Sequence, residues 1–179
     1  MKTEKDIASV YNLYVDDLYT YGTYLGFEGE VVKDAIQDIF FKLSTDNSLN
    51  NVSNIKFYLL RSLKNRLLDI CKHQKGHISL ENVEAAAELP FNIHVNVEDL
   101  IIEREKQIQI KTEIEQMLST LTDRQREIIY LRYVQEYDYT QIAELLQISV
   151  HGCRKLVSKA ILSLREKFGS LILFLILSS

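Results

Sequence analysis

Hydrophobic residues recur every three to four positions along most of the chain, and this period predicts helices. In the N-terminal part the pattern gives three helices, at about 4–26, 29–43 and 54–75, with a polar, Asn-rich loop over 44–54. Each helix has one apolar face, and three helices of this length can enclose a small core. We therefore predict a helical bundle for residues 1–75.

A different pattern occupies residues 76–98. This stretch contains the single proline of the chain, Pro90, and then alternates apolar with polar residues from Phe91 to Val97. Alternation of this kind is typical of a strand, but a lone short strand has few partners in a helical chain. We predict an extended linker whose apolar side docks on a neighbouring element.

Helical spacing returns after the linker, and polar residues predict where the helices begin. Thr122 with Gln125 three positions later is typical of a capping box, and Asp138 and Ser149 are suited to cap the next two helices. The apolar residues of these two helices can form a buried angle around a tight turn at 146–149. That arrangement is a helix-turn-helix.

The second helix of this motif has polar and basic residues on its outer side. Its first turns can enter a DNA major groove, with Arg154 and Lys155 donating to guanine edges. Ser149, Arg132 and Lys159 can hold phosphates. A basic face alone can be a solvated surface, but the turn, the caps and the apolar angle occur together here and favour DNA binding. The candidate DNA-binding residues are Arg132, Ser149, His151, Arg154, Lys155, Ser158 and Lys159.

In the second helix, Asp34, Gln37 and Asp38 lie at i, i+3 and i+4 and so share one face. An acidic, hydrogen-bonding stripe suits a basic protein surface, and a solvated helix face fits the pattern equally well. A paired-carboxylate active site is a third interpretation, although no glycine-rich loop, positioned base or third ligand accompanies the pair.

The third helix combines aromatic and basic residues, a mixture that can hold a melted DNA strand. Phe57 and Tyr58 can stack on bases or pack in the core. Cys71, His73 and His77 have part of the character of a metal site, but they lack a fourth ligand at a suitable spacing. We therefore predict no metal and no cofactor.

The formal net charge is −4, yet the charge is unevenly distributed. Two basic segments, residues 56–77 with a net charge of +5 and residues 148–167 with +4, lie in an acidic background. Local clusters decide phosphate binding, so the acidic total does not exclude a nucleic-acid ligand. The acidic remainder disfavours non-specific DNA and suits a basic protein partner.

Composition narrows the fold and the compartment. One proline and six glycines are too few for the turns of an all-β protein. Two cysteines cannot make a disulfide framework, and the charged N-terminal residues do not resemble a secretory signal, so we expect a reducing, cytoplasmic compartment. The longest apolar run, residues 171–177, is shorter than the about 20 residues that span a bilayer, so we expect no direct membrane insertion.

Residues 119–167 resemble region 4 of bacterial sigma factors, particularly the extracytoplasmic-function (ECF) group. The shared elements are Arg-Gln-Arg-Glu, Leu-Arg-Tyr, Tyr-x-x-Ile-Ala-Glu-x-Leu and Ile-Ser-Val. LuxR-type regulators carry a similar helix-turn-helix. Residues 34–43 are similar to the region 2 helix that grips the clamp coiled coil of RNA polymerase, and residues 54–75 resemble the part of region 2 that opens the −10 element.

The resemblance implies an all-α protein with two small helical domains joined by a linker. Region 2 then occupies 1–75, the linker 76–98, region 4 residues 99–168, and an apolar tail 169–179. The implied function is that of an ECF sigma factor, which binds core RNA polymerase and directs promoter recognition and transcription initiation, with −10 melting by region 2 and −35 duplex binding by region 4. The resemblance further implies a partner, an anti-sigma factor, which is often membrane-bound. It implies that the chain has no enzymatic activity and no small-molecule substrate.

The resemblance also assigns roles to single residues. Asp34, Gln37 and Asp38 match positions that contact polymerase, and Asn65 matches a position that helps hold a flipped-out base. The residues implied to bind the −10 element are Tyr58, Arg61, Lys64, Asn65, Arg66, Lys72 and Lys75. The sequence departs from the family's usual residues at four places: Asp38 replaces glutamate, Tyr58 tryptophan, Gly152 threonine and Leu156 arginine. Because of the changes at Gly152 and Leu156, relatives do not predict its promoter sequence.

Three other functions compete with this one. The principal alternative is a LuxR-type regulator that acts without core polymerase, but its receiver would need alternating strands and helices, and residues 1–75 predict only helices. A metal-dependent nucleic-acid enzyme would use Asp34 and Asp38. A protein-interaction module would use the basic helices to bind an acidic partner.

Overall fold

The computed structural model describes residues 6–46, 52–74, 89–94 and 104–169. The chain divides into two compact units, Met1–Pro90 (unit 1) and Phe91–Ser179 (unit 2). Within the described ranges the regular elements are all helices. The prediction of an all-α protein with two small helical domains is confirmed.

Unit 1 is a three-helix bundle of α1 (Ile7–Tyr24), α2 (Gly29–Asp46) and α3 (Ile55–Gln74). Each helix packs against the other two. Because the apolar residues recur at helical spacing, one face of every helix turns inward, and burial of these side chains drives the bundle to form. The core includes Leu18, Tyr21, Leu25, Val32, Ile36, Leu59, Leu63 and Leu67.

One cap and one close approach fix the start and the packing of α1. Asp6 caps the helix, because its carboxylate accepts hydrogen bonds from the backbone N–H groups of Ala8 and Ser9 at 3.2 Å. A hydrogen bond from the Ser9 hydroxyl, together with these backbone bonds, lowers the pKa of Asp6. Further along, Gly22 faces Val32 of α2, and a Cβ on Gly22 would lie 2.5 Å from Val32 Cγ1. The two helices therefore need a glycine at this position.

Helix α2 is longer than predicted, because residues 44–46 of the expected loop are helical. The hydroxyl of Ser44 donates to the carbonyl of Phe41 at 2.7 Å, and that of Thr45 donates to the carbonyl of Lys42 at 2.8 Å. Hydroxyls that bond back to the preceding turn stay within the helix. Polar composition alone therefore placed the end of α2 too early.

Unit 2 contains α4 (Arg104–Ser119), α5 (Asp123–Ile129), a π-helical turn (Tyr130–Val134), α6 (Tyr139–Leu146) and α7 (Val150–Phe168). Both α5 and α6 pack against α7. The central core consists of side chains from the last three helices and the π-helical turn, including Ile128, Leu131, Ile142, Cys153 and Val157. A smaller cluster of Leu121, Ala160 and Leu164 joins the end of α4 to the end of α7.

Residues 89–94 belong to the predicted linker and lie outside any helix or strand. Phe91 is fully buried in unit 2, where its ring lies 5.6 Å from that of Tyr130. Its N–H donates to the Asp123 carboxylate at 3.1 Å, and its carbonyl accepts from Arg126 Nε at 2.7 Å. The predicted docking of the apolar side is confirmed for this residue. The remaining linker positions lie outside the described residues.

The predicted capping box at the start of α5 is confirmed. The N–H of Gln125 donates to the Thr122 hydroxyl at 3.3 Å, and the Thr122 N–H donates to the Gln125 side chain at 3.0 Å. At the other end of unit 2, α7 stops at Gly169, whose φ of 52° suits a residue without a Cβ. The predicted tail beyond it, 170–179, lies outside the described residues.

Candidate nucleic-acid and polymerase interfaces

Local hydrogen bonds fix the angle between α6 and α7. The Asp138 carboxylate accepts from the N–H groups of Thr140 and Gln141 at 2.8 Å, and the Gln141 side chain accepts from the Asp138 N–H at 3.1 Å. Helix α6 ends at Gln147 in the left-handed conformation, with φ of 55°. The Ser149 hydroxyl then accepts from the Gly152 N–H at 3.0 Å and starts α7. Both predicted caps are confirmed.

The inner side of this angle is apolar. Ile142, Ala143 and Leu146 of α6 are buried, as are Cys153 and Val157 of α7. Burial raises the pKa of the Cys153 thiol, which therefore stays protonated and acts as a core side chain. A packed inner side holds α7 at a fixed angle, as a recognition helix requires.

The outer side of α7 is polar and exposed. The structure brings the predicted side chains of this helix together on that side, and all of them are exposed: His151, Arg154, Lys155, Ser158 and Lys159. Ser149 is also exposed, but its hydroxyl already accepts the capping hydrogen bond. The arrangement offers donors to phosphates and base edges from one helix face.

Arg132 lies apart from α7, in the π-helical turn. Its Nη1 donates to the carbonyl of Tyr137 at 2.8 Å, and its guanidinium carbon lies 5.0 Å from the centre of the Tyr139 ring. The guanidinium carbon of Arg154 lies 5.6 Å from the same ring centre. Sequence reasoning did not single out Tyr139, because helical spacing does not show which residues two separate arginines approach.

The polar, acidic face predicted on α2 is present, and an exposed aromatic side chain continues it. Asp34 and Gln37 are exposed, and Asp38 is half-buried. One turn further along the same face, Phe41 is 71% exposed, whereas its neighbour Phe40 is 7% exposed. Consecutive helical residues point about 100° apart, which explains why one phenylalanine faces the core and the next faces outward. The sequence did not single out Phe41, because residue type alone does not show which of two adjacent phenylalanines faces the core.

An ion pair joins α2 to α3. The Nε and Nη2 atoms of Arg66 donate to the same carboxylate oxygen of Asp38, at 3.0 Å and 2.7 Å. The side chains are 41% exposed for Arg66 and 47% exposed for Asp38, so the pair is accessible to solvent. A residue predicted to contact polymerase is thus bound to one predicted to contact DNA.

The predicted −10 residues of α3 fall into different environments. Arg61, Asn65 and Lys72 are exposed, and Tyr58 is half-buried. Lys64 departs from the expectation of a DNA-facing side chain, because it is only 4% exposed. The reason is its position on the helix, beside the core leucines. Lys75 lies outside the described residues.

A shallow groove between α2 and α3 collects several of these side chains. Its lining combines one aromatic ring, one amide, two basic side chains and two carboxylates, with apolar side chains of α2 at its base. The lining includes Asp38, Lys42, Tyr58, Asn65, Arg66 and Asp69. Such a groove can accept a base against the ring and the amide while cations meet phosphates.

The described geometry does not support a metal site at Cys71, His73 and His77. Cys71 is half-buried, and His73 Nδ1 lies 2.8 Å from the carbonyl oxygen of Asp69. His77 lies outside the described residues. Within the described ranges, no three His, Cys, Asp or Glu side chains cluster as metal ligands would, and no helix is both long and apolar enough to cross a membrane.

Comparisons with known proteins agree with this geometry. Residues 111–164 match the family model for sigma-70, region 4. Over 154 residues the chain is 20% identical to the ECF RNA polymerase sigma factor SigM of Bacillus subtilis (strain 168), covering 86% of this chain and 90% of SigM. The match to sigma-70 region 4 includes α5, the π-helical turn, α6 and most of α7, and so contains the helix-turn-helix of unit 2.

Two solved structures share the fold across most of the chain. The sigma factor RpoE, solved with the anti-sigma factor NepR from Bartonella quintana, gives a TM-score of 0.59 at 19% identity and covers 90% of this chain and 96% of its own. CnrH, solved with the cytosolic domain of CnrY, gives a TM-score of 0.52 at 15% identity and covers 92% and 88%. Similarity extends through both units, so the LuxR-type alternative is not favoured. The chain is thus similar to sigma-70 region 4 over residues 111–164 and, over most of its length, to sigma factors that include one of the ECF group.

Proposed function

We propose that this chain is a promoter-specificity subunit of bacterial RNA polymerase, which binds the core enzyme and directs transcription initiation. The observation that carries the proposal is the exposed basic face of α7, held at a fixed angle by a capped helix-turn-helix within the region 4 match. In this function α7 enters the major groove of the −35 duplex, where Arg154 and Lys155 contact base edges and Lys159 contacts phosphate.

The polymerase contact belongs to the outer face of α2. Asp34 and Gln37 supply exposed polar groups, and the exposed ring of Phe41 supplies apolar area one turn away. An acidic face with an apolar centre fits a basic polymerase surface that also offers an apolar contact, because charges orient the partners while buried aromatic area stabilises the complex. We assign core polymerase binding to this face.

The −10 element belongs to the groove between α2 and α3. Tyr58 and Asn65 face the groove and are suited to hold an unstacked base, while the exposed Arg61 and Lys72 are suited to the backbone. The proposal leaves out Lys64, since a side chain 4% exposed does not reach a phosphate without rearrangement. Arg66 takes part once it leaves Asp38.

The same function implies where the chain acts and what restrains it. The chain supplies promoter recognition from the cytoplasm and has no catalytic site of its own, because the core enzyme performs the synthesis. RpoE was solved with the anti-sigma factor NepR, and CnrH with a cytosolic domain of CnrY. By analogy, we propose that an anti-sigma factor holds this chain inactive.

The decisive experiment is assembly of the full chain with bacterial core RNA polymerase, measured by co-elution and by initiation on fragmented bacterial genomic DNA. The wild type is expected to co-elute and to start transcripts at discrete sites. An Asp34→Ala/Gln37→Ala variant is expected to lose co-elution while keeping its helical circular dichroism and melting temperature, because both side chains are exposed.

Glu28→Ala is the matched control for charge. It removes one exposed negative charge from unit 1, as the double variant does, but lies outside the α2 face. It is expected to co-elute like the wild type. A wild type that binds DNA but never associates with core polymerase would contradict the proposed function and restore a stand-alone regulator.

A further inference from the structure

Two arginines from different elements of unit 2 meet one aromatic ring. The guanidinium carbons of Arg132, in the π-helical turn, and Arg154, in α7, lie 5.0 Å and 5.6 Å from the centre of the Tyr139 ring. Both distances are within the about 6 Å over which a cation is attracted to an aromatic face. The ring therefore links the turn before the helix-turn-helix to its recognition helix.

The ring is itself held in place by the surrounding backbone. Tyr139 is the first residue of α6, directly after the Asp138 cap. Arg132 also donates from Nη1 to the Tyr137 carbonyl at 2.8 Å, so one guanidinium is tied both to the ring and to the loop that leads into α6. The ring is a fixed platform for the second guanidinium.

That second guanidinium belongs to Arg154, an exposed side chain on the outer face of α7. A free arginine on a helix surface samples many rotamers, and binding must stop that motion at an entropic cost. Contact with a ring restricts the rotamers but uses neither the N–H donors nor the charge. Arg154 therefore stays available for a base edge or a phosphate, in a limited set of orientations.

We propose that Tyr139 is a positioning residue for DNA readout, which orients the Arg154 guanidinium and so sharpens discrimination between base pairs in the −35 duplex. This inference rests on the proposed function and names a residue that determines its specificity. The hydroxyl of Tyr139 has no part in it, because the attraction comes from the face of the ring. Tyr139→Phe is therefore expected to behave like the wild type, and Tyr139→Leu is not.

The test uses the full chain assembled with bacterial core polymerase. Its ligand is a DNA duplex that the wild-type assembly selects by binding from a library with a randomised −35 element. The measured quantity is the ratio of affinities for the selected duplex and a shuffled one. Tyr139→Leu is expected to lower that ratio about two- to fivefold. The slope of affinity against salt concentration should stay unchanged, because no charge is removed. A merely structural role would not leave the salt slope and the melting temperature intact while lowering the ratio.

The Arg154→Ala background separates orientation from general damage to the fold. There, Tyr139→Leu is expected to have no further effect on the ratio, because the residue it positions is gone. The inference is overturned by equal effects of Tyr139→Leu in both backgrounds, by an unchanged ratio, or by a Tyr139→Phe variant as poor as Tyr139→Leu. If the wild type fails to assemble with core polymerase, the proposed function fails; the same ratios are then measured on the chain alone, which keeps the two failures distinct.

Discussion

Arg66 in unit 1 and Arg154 in unit 2 are both assigned to DNA, but the chain holds them by different means. A carboxylate holds Arg66, through two hydrogen bonds to one oxygen of Asp38. An aromatic ring holds Arg154, at 5.6 Å from its centre. Both contacts order a long side chain, yet only the carboxylate cancels its charge.

The difference concerns when each arginine is ready to bind. Arg154 keeps its charge and its donors, so the helix-turn-helix is prepared for a duplex as it stands. Arg66 is fully available to a DNA strand when its ion pair with Asp38 is broken. Because Asp38 lies on the face assigned to polymerase, binding of the core enzyme is a natural way to release Arg66. We therefore expect unit 2 to bind duplex DNA without prior rearrangement, and unit 1 to bind a DNA strand after the chain has assembled with core polymerase.

The largest expected effect follows removal of the prepared arginine. Arg154→Ala is expected to weaken holoenzyme binding to the selected −35 duplex by about 5- to 150-fold, the range for loss of one bidentate base contact. Arg165→Ala is the matched control, since Arg165 is an exposed arginine in the last turn of the same helix. Fluorescence anisotropy with a labelled duplex measures both. If both variants lose the same affinity, Arg154 contributes only its positive charge and makes no specific base contact.

The sequence predicts neither contact, although it predicts the caps and the exposed face of the helix-turn-helix. Capping at Thr122, Asp138 and Ser149 depends on residues three positions away, so the sequence predicts it directly. The exposed outer face of α7 likewise follows from helical spacing. The ion pair joins side chains 28 positions apart in different helices, and no local pattern predicts that α2 and α3 bring them together.

The burial of Lys64 is a second feature of unit 1 that local sequence patterns do not predict. The basic character of α3 led to the prediction that its lysines face DNA, but the rotation of the helix in the bundle turns this one inward. Phe40 and Phe41 are adjacent in the sequence and opposite in exposure for the same reason. Residue type and spacing predict the motifs, whereas the outward face of a tightly packed helix depends on its neighbours.

A smaller effect is expected from the exposed ring on the polymerase face. Phe41→Ala should weaken association with core polymerase about tenfold, as truncation of a central aromatic residue does in other interfaces. The melting temperature should stay unchanged, because the ring is 71% exposed. Leu13→Ala, at a side chain 68% exposed on α1, is the control for loss of surface apolar area. If both variants bind core polymerase like the wild type, Phe41 lies outside the interface.

Asp38→Asn tests the release of Arg66 directly. In the free chain this variant is expected to raise the affinity for a single-stranded −10 fragment about two- to fivefold, in proportion to the small energy of an exposed ion pair. Asp34→Asn removes the same charge from the same helix face without touching Arg66, so its smaller effect gives the contribution of general electrostatics. If Asp38→Asn and Asp34→Asn raise the affinity equally, the gain comes from general electrostatics and not from the release of Arg66.

The smallest expected effect is on stability. A double-mutant cycle with Asp38→Ala and Arg66→Ala, measured by urea unfolding, should give a coupling energy of about 0.2–1 kcal/mol that falls with added salt. The Asp17–Lys56 pair, which joins α1 to α3 at 2.7 Å and is similarly exposed, is the matched cycle. A weak pair suits a contact that is exchanged on assembly, because polymerase can take Asp38 at little cost to the bundle. A coupling energy well above 2 kcal/mol, insensitive to salt, would instead make the pair part of the framework of unit 1, and Arg66 would then stay with Asp38 when polymerase binds.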